Sequence, residues 1–445
     1  MKRALALILA MSLVFALYAC GGGGSTSPAP SDSGSPSDST PATSPEGDQP
    51  EPTSTGGAEP TTVAEDPNSM AELDLVGRYS YYEGKDLPAY KFIYVSVGSL
   101  PYNLDFAAGM KIWAEKVGST CEAYHAADDT DFMNQLATYK QQGYDGVIID
   151  PNALMFKQAA DILDEQGLPW NGCMGTAIEF TETFESKGLL HPFIGFDDVG
   201  IAQMSVDKLV EHAQTNWPGV GLDEIGFITL DFVIAYQLSL RATSAVEQWR
   251  TVHGGTDDNT FVGDPGQMMA TDDSRNAVVS IVSAHPEFEY WLVYGVIETM
   301  ALGAASGLEE QGIDTDHCAA TYMGGNSSEI QWAQGQDTAV KYVLDTPTII
   351  YAEPLFFTVY AFVNGDATPE TIYPSWRNPD PYFGTKYAML MLSVFWKDPT
   401  NFNDVAAWAN AYIGSDYYPV GETSKPITAE TYQLYIAPPD NFVSA

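Results

Sequence analysis

The sequence predicts an α/β protein of two doubly wound parallel-sheet lobes joined by a hinge, with a disordered N-terminal tether. Three observations predict it. Short apolar runs alternate with segments of helical period, the connections between them are short, and the alternation restarts near Phe193 as a second series.

Lys91-Phe-Ile-Tyr-Val-Ser-Val97 is a continuous run of apolar and β-branched residues, the pattern of a strand buried on both faces. After a turn at 99–101, Phe106, Met110, Trp113 and Val117 recur at helical spacing, and Gly118 ends that helix. Residues 121–125 then read as a strand, Asp128 as the cap of a helix running to 142, and 146–150 as a strand. A helix over 155–166 and a strand beginning at 169–174 follow. The second series comprises a strand at 193–197, a helix at 202–215, a strand at 224–229 and a helix at 236–250. It continues with helices at 274–284 and 300–310 around a strand at 290–294. Two such units form a cleft at the carboxyl ends of their strands, where sheets of this kind take ligands.

Ahead of the first strand lie two segments of different character. Lys2 and Arg3, an apolar run over 4–18 and small residues before Cys20 have the order of a targeting segment, too short to span a bilayer stably. Leu17-Tyr18-Ala19-Cys20 resembles the bacterial lipobox, which implies removal of 1–19 as a lipoprotein signal peptide and diacylation of the Cys20 thiol. Two acyl chains anchor durably where one does not. The implied location is the bacterial cell envelope, lipid-anchored on the extracytoplasmic face of the membrane. Residues 21–70 are Gly, Ser, Thr, Pro and acid, and cannot bury enough surface to offset ordering entropy. The expected tether, at 20–85 with its lipidated Cys, has a coil reach of roughly 40 Å over its first fifty residues.

The net charge is −40, from 59 acidic against 19 basic residues. Such a surface repels phosphate backbones and anionic headgroups, which argues against a nucleic-acid binder and disfavours an anionic ligand unless an Arg supplies local countercharge. A DNA-binding regulator would also need a basic helix-turn-helix where the acidic tether lies. Of the four Cys residues, the three beyond Cys20 cannot all pair internally. Cys121 and Cys173 fall in strand-like segments and read as small buried residues, and a disulfide between two of the three remains open. The six His residues are scattered, with no CxxC or HExxH, so no metal and no cofactor are expected. The chain has no nucleophile elbow and no P-loop, and is expected not to be an enzyme.

The order of several motifs resembles the type I periplasmic binding proteins, in the ribose- and galactose-binding branch that serves ABC importers. The residues that carry it are Ser96-Val-Gly-Ser-Leu-Pro-Tyr-Asn-Leu-Asp-Phe-Ala-Ala-Gly109, Gln142-Gly-Tyr-Asp-Gly-Val-Ile-Ile-Asp-Pro151 and Gln166-Gly-Leu-Pro-Trp170. Phe196-Asp-Asp-Val-Gly200 resembles the first crossover between lobes, and Tyr351-Ala-Glu-Pro354 the second. His285-Pro-Glu287 with Ala301-Leu-Gly-Ala304 resembles the second-lobe signature, and Pro426-Ile-Thr-Ala-Glu-Thr431 the terminal one. The resemblance implies lobe 1 at 89–196 plus 354–420 and lobe 2 at 197–353 plus 424–445. A segment of about 372–423, rich in aromatics, has no counterpart; it reads as an extra helical pair on lobe 1 or as a partner surface.

By the same resemblance the pocket would draw on Tyr102, Asn103, Asp150, Met174 and Asp197, on Tyr236 or Ser239, and on Glu298, Asn326 and Glu353. Aromatics stack on sugar faces, while carboxylates and amides exchange hydrogen bonds with hydroxyls. Structural roles compete with these: lobe packing for Tyr102, caps for Asp150 and Asp197, and an ion pair bracing its helix for Arg241. The family's sugar clamps are replaced by Met174-Gly175, Ile297-Glu298 and Gly324-Gly325-Asn326, which weakens the case for a monosaccharide. The resemblance implies a monomeric solute-binding protein that closes on a small neutral or cationic ligand and serves an ABC permease. An envelope sensor that presents its closed form to a receptor kinase or chemoreceptor remains the alternative.

Overall fold

The computed structural model describes residues 72–99, 101–152, 155–173, 191–266, 269–377 and 388–418. Cys20, the signal segment, the tether up to Ala71, Met174 and residues 424–445 lie outside them.

The first sheet has strand order β2-β1-β3-β4, built from β1 (Lys91–Val97), β2 (Thr120–Ala126), β3 (Gly146–Asp150) and β4 (Trp170–Gly172), all parallel. Alternation along β1 sends Phe92 and Tyr94 to one face and Ile93 and Val95 to the other, and both faces are buried. Ile93 and Val95 meet Phe132, Leu136, Ala159, Leu163 and Trp170, from β4 and the helices α3 (Asp129–Leu136) and α4 (Phe156–Gln166). Phe92 and Tyr94 meet α2 (Pro101–Lys116) and a long apolar helix from much later in the chain. A short helix before the sheet, α1 (Tyr79–Tyr82), joins the same core.

The second sheet draws on β6 (Ile225–Leu230), β7 (Thr260–Gly263), β8 (Tyr290–Ile297), β9 (Cys318–Met323), β10 (Val340–Asp345) and β12 (Phe395–Lys397). Their order is β12-β10-β9-β8-β6-β7, parallel except for β12. Its helices are α5 (Asp198–Asn216), α6 (Tyr236–Thr251), α7 (Thr271–Ala284), α8 (Glu298–Glu310) and α9 (Ser327–Ala333), around a separate core that includes Trp249 and Trp291. A third, two-stranded sheet pairs β5 (Phe193–Gly195) with β11 (Met389–Met391).

Several expectations are corrected. The helix capped by Asp128, whose carboxylate accepts the Asp131 N–H at 2.8 Å, stops at Leu136 rather than 142. Gln166 ends it by donating its side-chain amide to the Leu136 carbonyl at 2.9 Å. The edge strand β7 gave too short a run to be anticipated. The tether does not extend to 85: Val76 and Tyr82 are buried, and Tyr82 stacks on Phe357 at 5.4 Å.

The larger revision concerns Tyr351-Ala-Glu-Pro354. It is not a crossover between lobes but the middle of α10 (Thr348–Asn364), the long apolar helix of the first core. Every residue from Ile349 to Ala361 is buried, as in a helix apolar on all sides. Its close approach to α2 depends on Gly109, where a Cβ would lie 2.7 Å from that of Ala352. Residues 348–353 therefore pack with lobe 1. The segment at 372–423 is not a helical pair on lobe 1 either. Within its described part β12 joins the second sheet, while α11 (Phe402–Ile413) places Phe402 in the second core and Ala409 and Ile413 in the first.

Candidate ligand site

The first wall stands at the carboxyl end of the first sheet. Parallel pairing sets Ser96 opposite Asp150 at the strand tips. The Tyr94 hydroxyl donates to Asp150 Oδ2 at 3.0 Å, and the Asn103 amide donates to the same oxygen at 2.9 Å. Burial pushes the Asp150 carboxyl up to about 6, against the lowering effect of those two hydrogen bonds. Tyr102, one residue along α2, packs edge-on against Phe106 at 4.9 Å, and its buried hydroxyl has no hydrogen-bond partner among the described residues. Burial first, and the nearby Asp150 second, raise its pKa well above the ordinary phenol value. Ser96 Oγ meets His125 Nδ1 at 2.7 Å beside this group.

The second wall stands at the carboxyl ends of β8, β9 and β10. Val296 adopts φ 42° and is wholly buried, a strained conformation for a β-branched residue, where the β8–β9 register shifts. That bend leads into α8, whose first residue, Glu298, accepts the Ser327 N–H at 2.7 Å. Arg241 on α6 donates through Nε to Asp198 at 2.7 Å and through Nη1 to the Val296 carbonyl at 3.3 Å. This guanidinium braces the bend and is already neutralised by a carboxylate. Deeper in the wall, the Lys397 ammonium is buried against Asp345 at 2.7 Å and against Glu329.

The two walls sense each other. Asp105 on α2 has its carboxyl raised by burial, with Asp345 and Glu298 of the second wall adding repulsion and Lys397 opposing it. Arg241 in turn feels Tyr102.

The expected site residues are thus only partly gathered. Tyr102, Asn103 and Asp150 form one cluster on the first wall, and Glu298 lies on the second. Asn326 is exposed as the residue preceding α9, and Tyr236 is 44 % exposed at the start of α6. Asp197 is a helix cap: its carboxylate accepts the Gly200 N–H at 2.9 Å. Glu353 is corrected most clearly. It is 1 % exposed within the first core, accepting the Tyr79 N–H at 2.8 Å and the Tyr412 hydroxyl at 2.6 Å. The Lys397 cluster was missed, and a lone Lys in the apolar run Val394-Phe-Trp-Lys397 of a lysine-poor chain was its one sequence signal. Cys121, Cys173 and Cys318 are all buried. Among the described residues no group of acids, His and Cys is arranged to hold a metal ion, and no helix is long and apolar enough to cross a membrane.

Two parallel-sheet lobes of this order are the architecture of the type I periplasmic binding proteins, and solved structures share the fold. A glucose-galactose binding protein from Geobacillus stearothermophilus superposes with a TM-score of 0.51 at 12% identity, over 71% of this chain and 99% of that one. A periplasmic ribose ABC transporter protein from Conexibacter woesei gives 0.54 at 12% identity, over 73% and 98%. A 5-methylthioribose transporter solute-binding protein from Thermotoga lettingae, in complex with 5-methylthioribose, gives 0.53 at 15% identity, over 76% and 96%. No family model and no curated protein sequence matches the chain.

Proposed function

We propose that this chain is a solute-binding protein, anchored through a diacylated Cys20 on the extracytoplasmic face of a bacterial membrane, that closes its lobes about a hinge on a small polar ligand and delivers it to an ABC importer. One observation carries the reading: Asp150, held by Tyr94 and Asn103 beside the unpartnered Tyr102 hydroxyl, stands at the strand ends of the first sheet, as Glu298 stands at those of the second. A buried hydroxyl without a partner and a half-buried carboxylate with spare lone pairs suit a ligand rich in hydroxyl or amine groups. The neighbours named above are a glucose-galactose binding protein, a ribose ABC transporter and a transporter solute-binding protein in complex with 5-methylthioribose.

The charge distribution favours a neutral or cationic ligand. Arg241 and Lys397, the cations of the second wall described above, are already bonded to carboxylates. A thermal-shift screen of the mature chain over sugars, polyols, nucleosides, amines and carboxylic acids tests the reading. A ligand at a hundredfold excess over its dissociation constant adds about 2.7 kcal/mol. A shift with none of them overturns solute binding of this kind, and a shift with acids alone overturns the charge argument.

A further inference from the structure

We propose that Lys397 is a positioning residue for the second wall of the ligand site, fixing the turn of residues 324–327 against Glu298. The proposal rests on the reading of the cleft as a ligand site. Lys397 ends β12, the antiparallel strand added at the edge of the second sheet. Its ammonium is 3 % exposed and meets three acceptors: Asp345 Oδ2 at 2.7 Å, Glu329 Oε1 and the Gly325 carbonyl at 3.2 Å. All three of its protons are thereby used. The acceptors come from the end of β10, the first turn of α9 and the connection between β9 and α9. One side chain thus gathers the carboxyl ends of two neighbouring strands.

The turn itself is glycine-rich and uncapped. Gly324 and Gly325 take φ values of 78° and 91°, and Asn326 makes no side-chain capping bond to α9. Three bonds from outside the turn hold it: the Gly324 N–H donates to the Leu344 carbonyl at 2.8 Å, Lys397 holds the Gly325 carbonyl, and Glu298 holds the Ser327 N–H. Gly325 approaches Glu298 closely, since a Cβ there would lie 2.4 Å from Glu298 Cδ, so the turn cannot move toward Glu298 without displacing it. A buried ammonium with two carboxylates is an inefficient source of stability, since desolvation offsets most of the attraction. Its distinctive effect here is on a backbone carbonyl at the site. Twenty residues on, Tyr417 donates to Asp105 at 2.6 Å, so the same stretch of chain bonds to both walls.

Lys397→Met alone leaves two buried carboxylates uncompensated and risks unfolding, so the test uses Lys397→Met with Glu329→Gln and Asp345→Asn in the mature chain. Amide exchange in the turn at 324–327 is expected to accelerate about tenfold, from the loss of one charge-assisted hydrogen bond, while β1 and β3 exchange as in wild type. A probe that binds wild type among D-ribose, D-allose, L-rhamnose, glycerol and spermidine is expected to lose affinity by a similar factor. Wild-type exchange in the turn, or wild-type affinity despite a loosened turn, overturns the proposal. Should none of these probes bind wild type, the wider screen above decides the proposed function, and the exchange rate still decides whether Lys397 holds the turn. If the triple variant does not fold, Lys397→Met with Asp345→Asn, which leaves only the partly exposed Glu329 without its counter-ion, carries the same comparison.

Discussion

The Tyr412 hydroxyl donates to the Glu353 carboxylate at 2.6 Å, and the other oxygen of that carboxylate accepts the Tyr79 N–H at 2.8 Å. Three stretches far apart in sequence, α1, α10 and α11, are thereby joined at one buried acid. Trp113 lies beside the junction, 5.6 Å from the Tyr79 ring and 6.0 Å from that of Tyr412.

Glu353→Ala is expected to cost about 3 kcal/mol, because each hydrogen bond to a buried charge is worth ~1.5–3 kcal/mol and the Tyr79 and Tyr412 donors are left without it. Urea unfolding measures the loss. Ligand affinity of the folded variant should match wild type, and a selective loss of affinity would return Glu353 to the site.

Tyr102→Phe should leave stability unchanged or slightly raised, since the hydroxyl it removes is buried without a partner. If that hydroxyl awaits a ligand, affinity falls about tenfold while the melting temperature of the free protein does not. Calorimetric titration with the best binder of the screen separates the two.

Asp150 makes stability and binding depend on pH in opposite senses. Its folded carboxyl titrates at about 6 against an ordinary 3.8, raised by burial, so the fold favours the protonated form. That contribution is fully present below about pH 4 and is lost as pH rises through about 6. Asp150→Asn, neutral at every pH, should therefore raise the melting temperature at pH 8 and alter it little at pH 4. A ligand that donates to the carboxylate should bind more tightly above pH 6 than below it, and should lose that pH dependence in the variant.

The buried pair of Arg241 and Asp198 predicts a non-additive cycle. Arg241→Met alone is expected to cost about 3 to 5 kcal/mol by stranding the Asp198 charge, whereas adding Asp198→Leu should recover much of it. Chemical denaturation of the four proteins checks the coupling. Additive losses would mean that the two side chains act separately.

Cys20→Ala should release the protein from membranes, because the proposed anchor is carried by that thiol. Membrane fractionation of cells expressing the variant decides it, and wild-type partitioning would remove the anchor from the proposal.

The sheets were legible because their strands are short apolar runs bounded by turns, and 91–97 and 146–150 appear in the structure at those bounds. Tyr102, Asn103 and Asp150 were named together by the family resemblance, and the structure gathers them because they follow or end strands whose tips adjoin in a parallel sheet. Glu353 was misplaced for a physical reason: an acid in an otherwise apolar stretch suits a ligand contact and a buried staple equally, and its partners Tyr79 and Tyr412 are 274 and 59 residues away.

The sequence by itself determined the α/β class and the doubly wound order. Local period, caps and turn residues act within a few positions of one another and can be read along the chain. Tertiary structure alone decided that α10 belongs to the first core, that β12 closes the edge of the second sheet, and that Lys397 stands behind the turn facing Glu298. Those outcomes depend on which buried charge finds which partner across tens to hundreds of residues. A desolvated ammonium or carboxylate accepts any partner that the packing brings within reach, and no local pattern names that partner in advance.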